Sequence, residues 1–148
     1  MDLFEKLHLV TNFHCNAVCR RLPPSFEPRK GAGEVKILRQ TEDSITLFEK
    51  GKWQGVYSKD ERLFSNVFRF QKEDKGVITL QHFRLGRDKP QKVFTLTAIE
   101  PHLYKSLKPH EDDEDTHFGN VLFDTHFVQL SWRKVGSQKN ELHTVVYS

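Results

Sequence analysis

The amino-acid sequence predicts a mainly β protein, a single antiparallel barrel that follows a short N-terminal helix. Two observations support this prediction. Apolar and polar residues alternate over most of the chain, which is the period of a strand with one buried face. Turn-forming residues separate these runs at short, regular intervals, as in a meander that closes into a barrel. We expect residues 1–148 to form one domain, with the helix in 1–10 and the barrel in 11–148.

The helix is predicted from Leu3, Phe4 and Leu7, whose spacing puts the three side chains on one helical face. From residue 11 onward the apolar period changes to two. Residues 30–33 (Lys-Gly-Ala-Gly) and 50–51 (Lys-Gly) are among the predicted turns, because glycine is common where a chain reverses. The predicted strands are 11–20, 34–40, 44–50, 52–57, 63–71, 76–83, 92–99, 115–122, 126–134 and 140–147.

Composition narrows the function classes. The chain has 36% hydrophobic and 29% charged residues, a mean hydropathy of −0.63 and a net charge of +3. No apolar run approaches the roughly 20 residues of a membrane span, and the N-terminus lacks the pattern of a secretory signal. The charge is mild and the aromatic residues do not form RNA-binding motifs. We therefore expect a cytoplasmic monomer or weak homodimer that binds neither membranes nor nucleic acids.

The two cysteines, Cys15 and Cys19, lie in the first predicted strand. There they would share a face about 13 Å apart at roughly 3.3 Å per residue, which is too far for a disulfide. The spacing is also poor for a metal site without a second pair. Both are expected to be reduced thiols.

Several predicted strands carry threonine, serine and glutamine on one face and apolar residues on the other. Uncharged polar groups suit the lumen of a barrel that holds a ligand. The alternative is an ordinary amphipathic sheet whose exposed face is rich in threonine, a good strand former.

The richest chemistry lies in the last quarter of the chain. His110, Asp115 and His117 supply two imidazoles and a carboxylate, and on one strand Asp115 and His117 would point to the same side. Such a set suits a polar ligand, and it would also suit zinc or ferrous iron. The alternative is that residues 111–115 form a solvated acidic turn beside incidental histidines. We assign no metal to these residues.

Three further residues are candidates for the same site. Trp132 is either a cavity wall or plain core, Lys139 either binds an anionic group or is solvated, and Glu49 is either an inward carboxylate or a strand end. No nucleophile elbow, phosphate-binding loop or dinucleotide fingerprint is present. We therefore assign no catalytic residue and no cofactor, although the same acid and base groups leave an enzyme open.

These residues resemble a known pattern. His110-x4-Asp115-Thr116-His117, then Trp132-Arg133-x2-Gly136-x2-Lys139 and a closing Tyr147, are similar to the C-terminal signature of an uncharacterised bacterial and fungal family of small lipocalin-like domains. Glu49-x-Gly51 is similar to that family's Glu-x-Gly strand and turn. The sequence departs from the pattern at His117, where tyrosine is usual, at Asp112, where cysteine is common, and at Ser137, which replaces proline.

The resemblance implies a lipocalin-like (calycin) barrel with a central cavity that the signature residues line or close. Together with the alternation of the strands, it singles out Asp115 as the carboxylate of interest and leaves residues 111–114 as solvated turn. It implies no established activity. We predict that the protein binds a small, partly polar molecule through Glu49, His110, Asp115, His117, Trp132 and Lys139. The competing hypotheses are an enzyme that uses these acid and base groups, with or without a metal, and a protein-interaction module that uses exposed aromatic residues.

Overall fold

The computed structural model describes residues 2–19, 27–84, 88–112, 114–137 and 139–148. A single helix, α1, spans Leu3–Leu9 in this part of the chain. The strands that follow are β1 Asn12–Cys19, β2 Arg29–Gln40, β3 Ser44–Gly55, β4 Glu61–Lys72, β5 Val77–His82, β6 Gln91–Glu100, β7 Leu103–Lys105, β8 His110–Glu111, β9 Asp115–Phe123, β10 Val128–Gly136 and β11 Lys139–Tyr147. The short strands β7 and β8 were not predicted.

The strands form a closed antiparallel barrel. From β1 to β7 each strand pairs with the next, β7 pairs with β9, and β9, β10 and β11 pair in order. Strand β11 then returns to β1, with Tyr147 opposite Phe13. Ten strands close the ring, and the two-residue strand β8 pairs with the start of β9. The predicted fold class, a mainly β lipocalin-like barrel with a short N-terminal helix, is confirmed.

Helix α1 covers one end of the barrel. Its N-cap residue Asp2 accepts a hydrogen bond from the Glu5 backbone N–H at 2.8 Å, and Leu3 and Leu7 are fully buried. Lys6 Nζ donates to a backbone carbonyl of the β9–β10 turn at 2.7 Å. Apolar side chains fill the lumen at this end, and the cavities described below lie toward the other one. No helix in the described ranges is long and apolar enough to cross a membrane.

Two of the predicted turns are wrong. Residues 30–33 lie inside β2, and Gly51 lies inside β3. Gly33 and Gly51 face each other across the two strands. A Cβ on Gly33 would come within 2.1 Å of the Lys50 carbonyl oxygen, and one on Gly51 within 2.2 Å of the Ala32 carbonyl oxygen. These glycines therefore allow two backbones to approach closely, and the chain does not turn at them.

The apolar strand faces point into the barrel. Leu80, Phe94, Leu96 and Leu130 are each at most 1% exposed, whereas Thr95 on the opposite face is only partly buried. The interpretation that the threonine, serine and glutamine faces line the lumen is wrong. The apolar residues take the interior because their burial is the main favourable term in folding.

Candidate functional site

Four of the predicted site residues come together at the end of the barrel opposite α1. His110, Asp115, His117 and Trp132 line a cavity of about 400 Å³, which we call the rim cavity. Strands β8 and β9 place His110 opposite His117, with ring centroids 6.2 Å apart. The other residues of its wall are His82, Arg84, Gln91, Lys92, Val93, Asp112, Glu114 and Lys134.

Hydrogen bonds fix the His117 ring on both sides. The indole N–H of Trp132 donates to Nδ1 at 3.1 Å, and Nε2 lies 2.8 Å from Oδ2 of Asp112. An indole N–H can only donate, so Nδ1 must be the acceptor. The proton of the ring is therefore on Nε2, from which it is donated to Asp112. His117 is thus a neutral imidazole with both nitrogens engaged.

Asp112 is a site residue that sequence reasoning missed. Its Oδ1 accepts hydrogen bonds from the backbone N–H groups of Glu114 at 3.1 Å and Asp115 at 2.8 Å. These bonds and the one from His117 hold the pKa of Asp112 well below its usual range, the His117 bond having the largest effect. The available signal was an aspartate three residues before a strand, the position from which its side chain caps a turn.

Asp115 is buried and joins three strands. Its Oδ2 lies 3.3 Å from Lys139 Nζ on β11 and 3.7 Å from Lys134 Nζ on β10. Its Oδ1 accepts no hydrogen bond within the described part of the chain. A Cβ on Gly136, the residue opposite Asp115, would come within 2.4 Å of that oxygen. A side chain at position 136 would therefore require the Asp115 carboxylate to shift from its place beside the two lysines.

Lys139 and Glu49 are not part of the rim cavity wall. Lys139 is paired with Asp115 and is absent from the described residues that line the cavity. Glu49 lines a second cavity of about 270 Å³ inside the barrel, which we call the lumen cavity. Its wall also includes Cys15, Asn16, Arg29, Trp53, Phe64, Asn66, Phe68, His82, Arg84, Trp132, Lys134, Glu141, His143 and Val145.

Glu49 is a buried carboxyl group with hydrogen bonds to both oxygens. It is 1% exposed, Tyr147 donates its hydroxyl to Oε2 at 2.5 Å, and Asn66 donates its Nδ2 to Oε1 at 3.4 Å. Burial raises the pKa of Glu49 to about 7, although both hydrogen bonds lower it. Burial likewise raises the pKa of Tyr147 well above its usual value. A carboxyl group that titrates near neutrality suits proton transfer as well as hydrogen bonding to a ligand.

His82 extends this network toward both cavities. Its Nε2 lies 3.3 Å from Oδ1 of Asn66, so that the amide bridges His82 and Glu49. The imidazole stacks on Phe68, with ring centroids 4.5 Å apart and planes at 14°. Burial lowers the pKa of His82 to about 4, and the cations Arg84 and Lys134 add to this. Sequence reasoning missed His82, because it ends a strand and carries no motif.

Trp132 stands between the two cavities. It lines both, as do His82, Arg84 and Lys134. Aromatic rings surround the indole, with Phe68, Phe94, His117 and His143 at centroid distances of 5.7 to 6.4 Å. Trp132 is only partly buried, so the cavity wall hypothesis describes it better than plain core.

Asp112, Asp115 and His117 place three ligand-type atoms within 4.8 Å of one another. The hydrogen bonds argue against a metal ion there. His117 offers no free lone pair while Trp132 donates to Nδ1 and Nε2 carries the proton. Lys134 and Lys139 already neutralise Asp115. The arrangement is that of a hydrogen-bonded wall.

Comparisons with known proteins agree with the barrel fold. No family model and no curated protein matches the chain. The structure of an S-type phycobiliprotein lyase, CpeS, from Guillardia theta matches with a TM-score of 0.64 at 9% identity, covering 99% of this chain and 90% of that one. Rv2717c from M. tuberculosis matches with a TM-score of 0.56 at 10% identity, covering 95% and 92%. At these identities the likeness shows the fold, a lipocalin-like antiparallel barrel.

Proposed function

We propose that this protein binds a small, partly polar molecule with a flat apolar body in the half of the barrel opposite α1. The observation that carries the proposal is the pair of adjoining cavities with Trp132 in their common wall. A ligand of this kind would place its body against the indole and the neighbouring rings. Glu49, His82 and His110 would offer hydrogen bonds to its polar groups.

Each predicted site residue has a role in this proposal. Trp132 is a contact surface, and His110 is a partly buried polar group of the rim cavity. His117, Asp115 and Lys139 support the wall, because their side chains bond to other residues of the protein. Glu49 is the polar group of the lumen cavity. On the signature residues alone, we also propose membership of the uncharacterised lipocalin-like family that they resemble.

The direct test uses a neutral aromatic probe, N-phenyl-1-naphthylamine, whose fluorescence rises in an apolar site. We expect saturable binding of one probe per chain. Trp132→Ala should weaken it at least tenfold, because the largest apolar surface of the wall is lost. Tyr57→Ala is the matched control, since Tyr57 is 77% exposed and lines neither cavity; it should leave binding unchanged.

A second variant covers the case in which Trp132→Ala does not fold. Val145→Phe adds volume to a residue of the lumen cavity wall and should also weaken probe binding. Circular dichroism and thermal melting identify the variants that remain folded. Absence of saturable binding to the wild type, or full binding by folded Trp132→Ala and Val145→Phe proteins, would contradict the proposal. Mass spectrometry under native conditions would then identify any molecule that co-purifies.

A further inference from the structure

We infer that the ligand is an aromatic anion whose acidic group lies at the rim cavity between Arg84 and Lys92, with its flat body against Trp132. This inference rests on the proposed function and adds the chemical class of the ligand. It covers carboxylates, phosphates and sulfonates alike, since each presents oxygens to a pair of cations. Two observations support it: the charged side chains of the cavity wall, and the ion pairs and hydrogen bonds that some of these side chains already form.

The buried and capping carboxylates of the rim cavity already have charged or hydrogen-bonding partners, although Oδ1 of Asp115 accepts no hydrogen bond from the described residues. Asp112 accepts from two backbone N–H groups and from His117. Asp115 is paired with Lys134 and Lys139. The remaining carboxylate of the described wall, Glu114, is exposed. Among the described wall residues, Glu114 is therefore the one carboxylate without an ion pair that could bind a cationic ligand.

Two cations of the same wall remain available. Arg84 and Lys92 form no ion pair with any residue in the described ranges. The β5–β6 hairpin brings them to the same end of the barrel, because His82 pairs with Gln91 and Gln81 pairs with Lys92. Both are exposed at the rim, where they are accessible to a charged group of a ligand. A cationic ligand would be repelled by them.

The electrostatics of His82 and His110 agree with a positive potential at this end of the barrel. Burial is the first cause of the lowered pKa of each. Arg84 and Lys134 lower the pKa of His82 further, and Lys92 lowers that of His110 more than Asp112 raises it. For His143 the largest charge effect is that of Glu141, which raises the pKa, while Arg29 and Lys134 lower it. An anion that enters the cavities gains from the same field that disfavours protonated imidazoles.

The test compares two probes that differ by one acidic group. The sulfonate 8-anilinonaphthalene-1-sulfonate is N-phenyl-1-naphthylamine with an added anion. We expect wild type to bind the sulfonate at least tenfold more tightly than the neutral probe. The double variant Arg84→Gln/Lys92→Gln should lose at least tenfold more affinity for the sulfonate than for the neutral probe.

Lys75→Gln is the matched charge control, because Lys75 is exposed in the β4–β5 turn at the α1 end. It should affect neither probe. Equal affinity for the two probes, or equal losses of both in the double variant, would overturn the anion inference and leave the binding proposal intact. If the wild type bound neither probe, both proposals would be overturned.

Discussion

The indole N–H of Trp132 donates to Nδ1 of His117, and this one contact decides where the imidazole carries its proton. The ring is held between Trp132 on β10 and Asp112 in the turn before β9. His117 therefore acts as a brace for the cavity wall. His110 lies opposite His117, on β8. Its ring forms no hydrogen bond with the described residues, so it is the imidazole more open to a ligand.

We predict that the neutral ring of His117 is the Nε2–H tautomer, which long-range ¹H–¹⁵N NMR of its ring measures directly. Trp132→Phe keeps an aromatic side chain, although a smaller one, and removes the donor; it should lower the free energy of unfolding by about 1–2 kcal/mol. The control is Trp53→Phe, because the N–H of Trp53 makes no hydrogen bond to a described residue. An Nδ1–H tautomer, or equal effects of the two substitutions, would contradict this arrangement.

Glu49 should make stability depend on pH. Its pKa is raised from 4.5 to about 7, so the folded chain holds a proton that the unfolded chain releases. The associated stability is lost as pH rises from 4.5 through 7, and the loss is complete above 7. Glu49→Gln should therefore gain about 3 kcal/mol relative to wild type between pH 4.5 and 8, at about 1.4 kcal/mol per pKa unit. Urea unfolding across this range measures the difference, and a constant difference would refute it.

His82 should act in the opposite direction. Its pKa is lowered from 6.5 to about 4, so the folded chain remains neutral where the unfolded chain takes up a proton. Stability from this residue is lost as pH falls from 6.5 toward 4. His82→Gln should thus gain stability relative to wild type in that window, and remain at a constant offset above pH 7. Urea unfolding across the same pH range measures this difference in stability. If the stability of His82→Gln relative to wild type rose with increasing pH instead, the result would contradict the burial of a neutral ring.

Gly136 and Asp115 should behave as a coupled pair. Gly136→Ala should cost about 2 kcal/mol of unfolding free energy, because its Cβ would meet the Asp115 carboxylate. In an Asp115→Ala background the same change should cost at least about 1 kcal/mol less. Denaturant unfolding of the four proteins completes the cycle. Additive costs would show that the carboxylate is not the obstacle.

Cys15 should be chemically inert in the folded protein. Burial raises its pKa to about 12, and reaction requires the thiolate. In a Cys19→Ser background, where only Cys15 can react, iodoacetamide should label the folded protein at least a hundredfold more slowly than the unfolded protein. Mass spectrometry follows the labelling. Comparable rates in the two states would show that the thiol is accessible.

The order of the strands was predictable because each one pairs with a near neighbour in the chain. The alternation of polar and apolar residues inside a segment is then enough to indicate a strand. The same locality explains why the signature is informative: β9, β10 and β11 are successive hairpins, and they bring Asp115, Gly136 and Lys139 to one point. The glycines of β2 and β3 led to wrong turn predictions, because turns and close contacts between strands both favour a residue without a side chain.

The partners of Glu49 were beyond sequence reasoning for a physical reason. Tyr147 lies 98 residues away, and the contact exists only because the ring of strands closes. No local period encodes such a pair. Asp112 was missed for a different reason, since a solvated acidic turn and a capping carboxylate have the same composition. The cytoplasmic location and the monomeric or weakly dimeric state stay predictions.

The pairing of β1 with β11 has a consequence for the order of folding. It joins Phe13 to Tyr147, whereas most other pairs join adjacent hairpins that close short loops. Long loops cost more entropy to close, and such contacts form late. We therefore expect the hairpins to assemble first and the seam between the two ends of the ring to form last. Glu49 would form its hydrogen bond with Tyr147 only at that final step. A partly folded chain would therefore lack the complete lumen cavity.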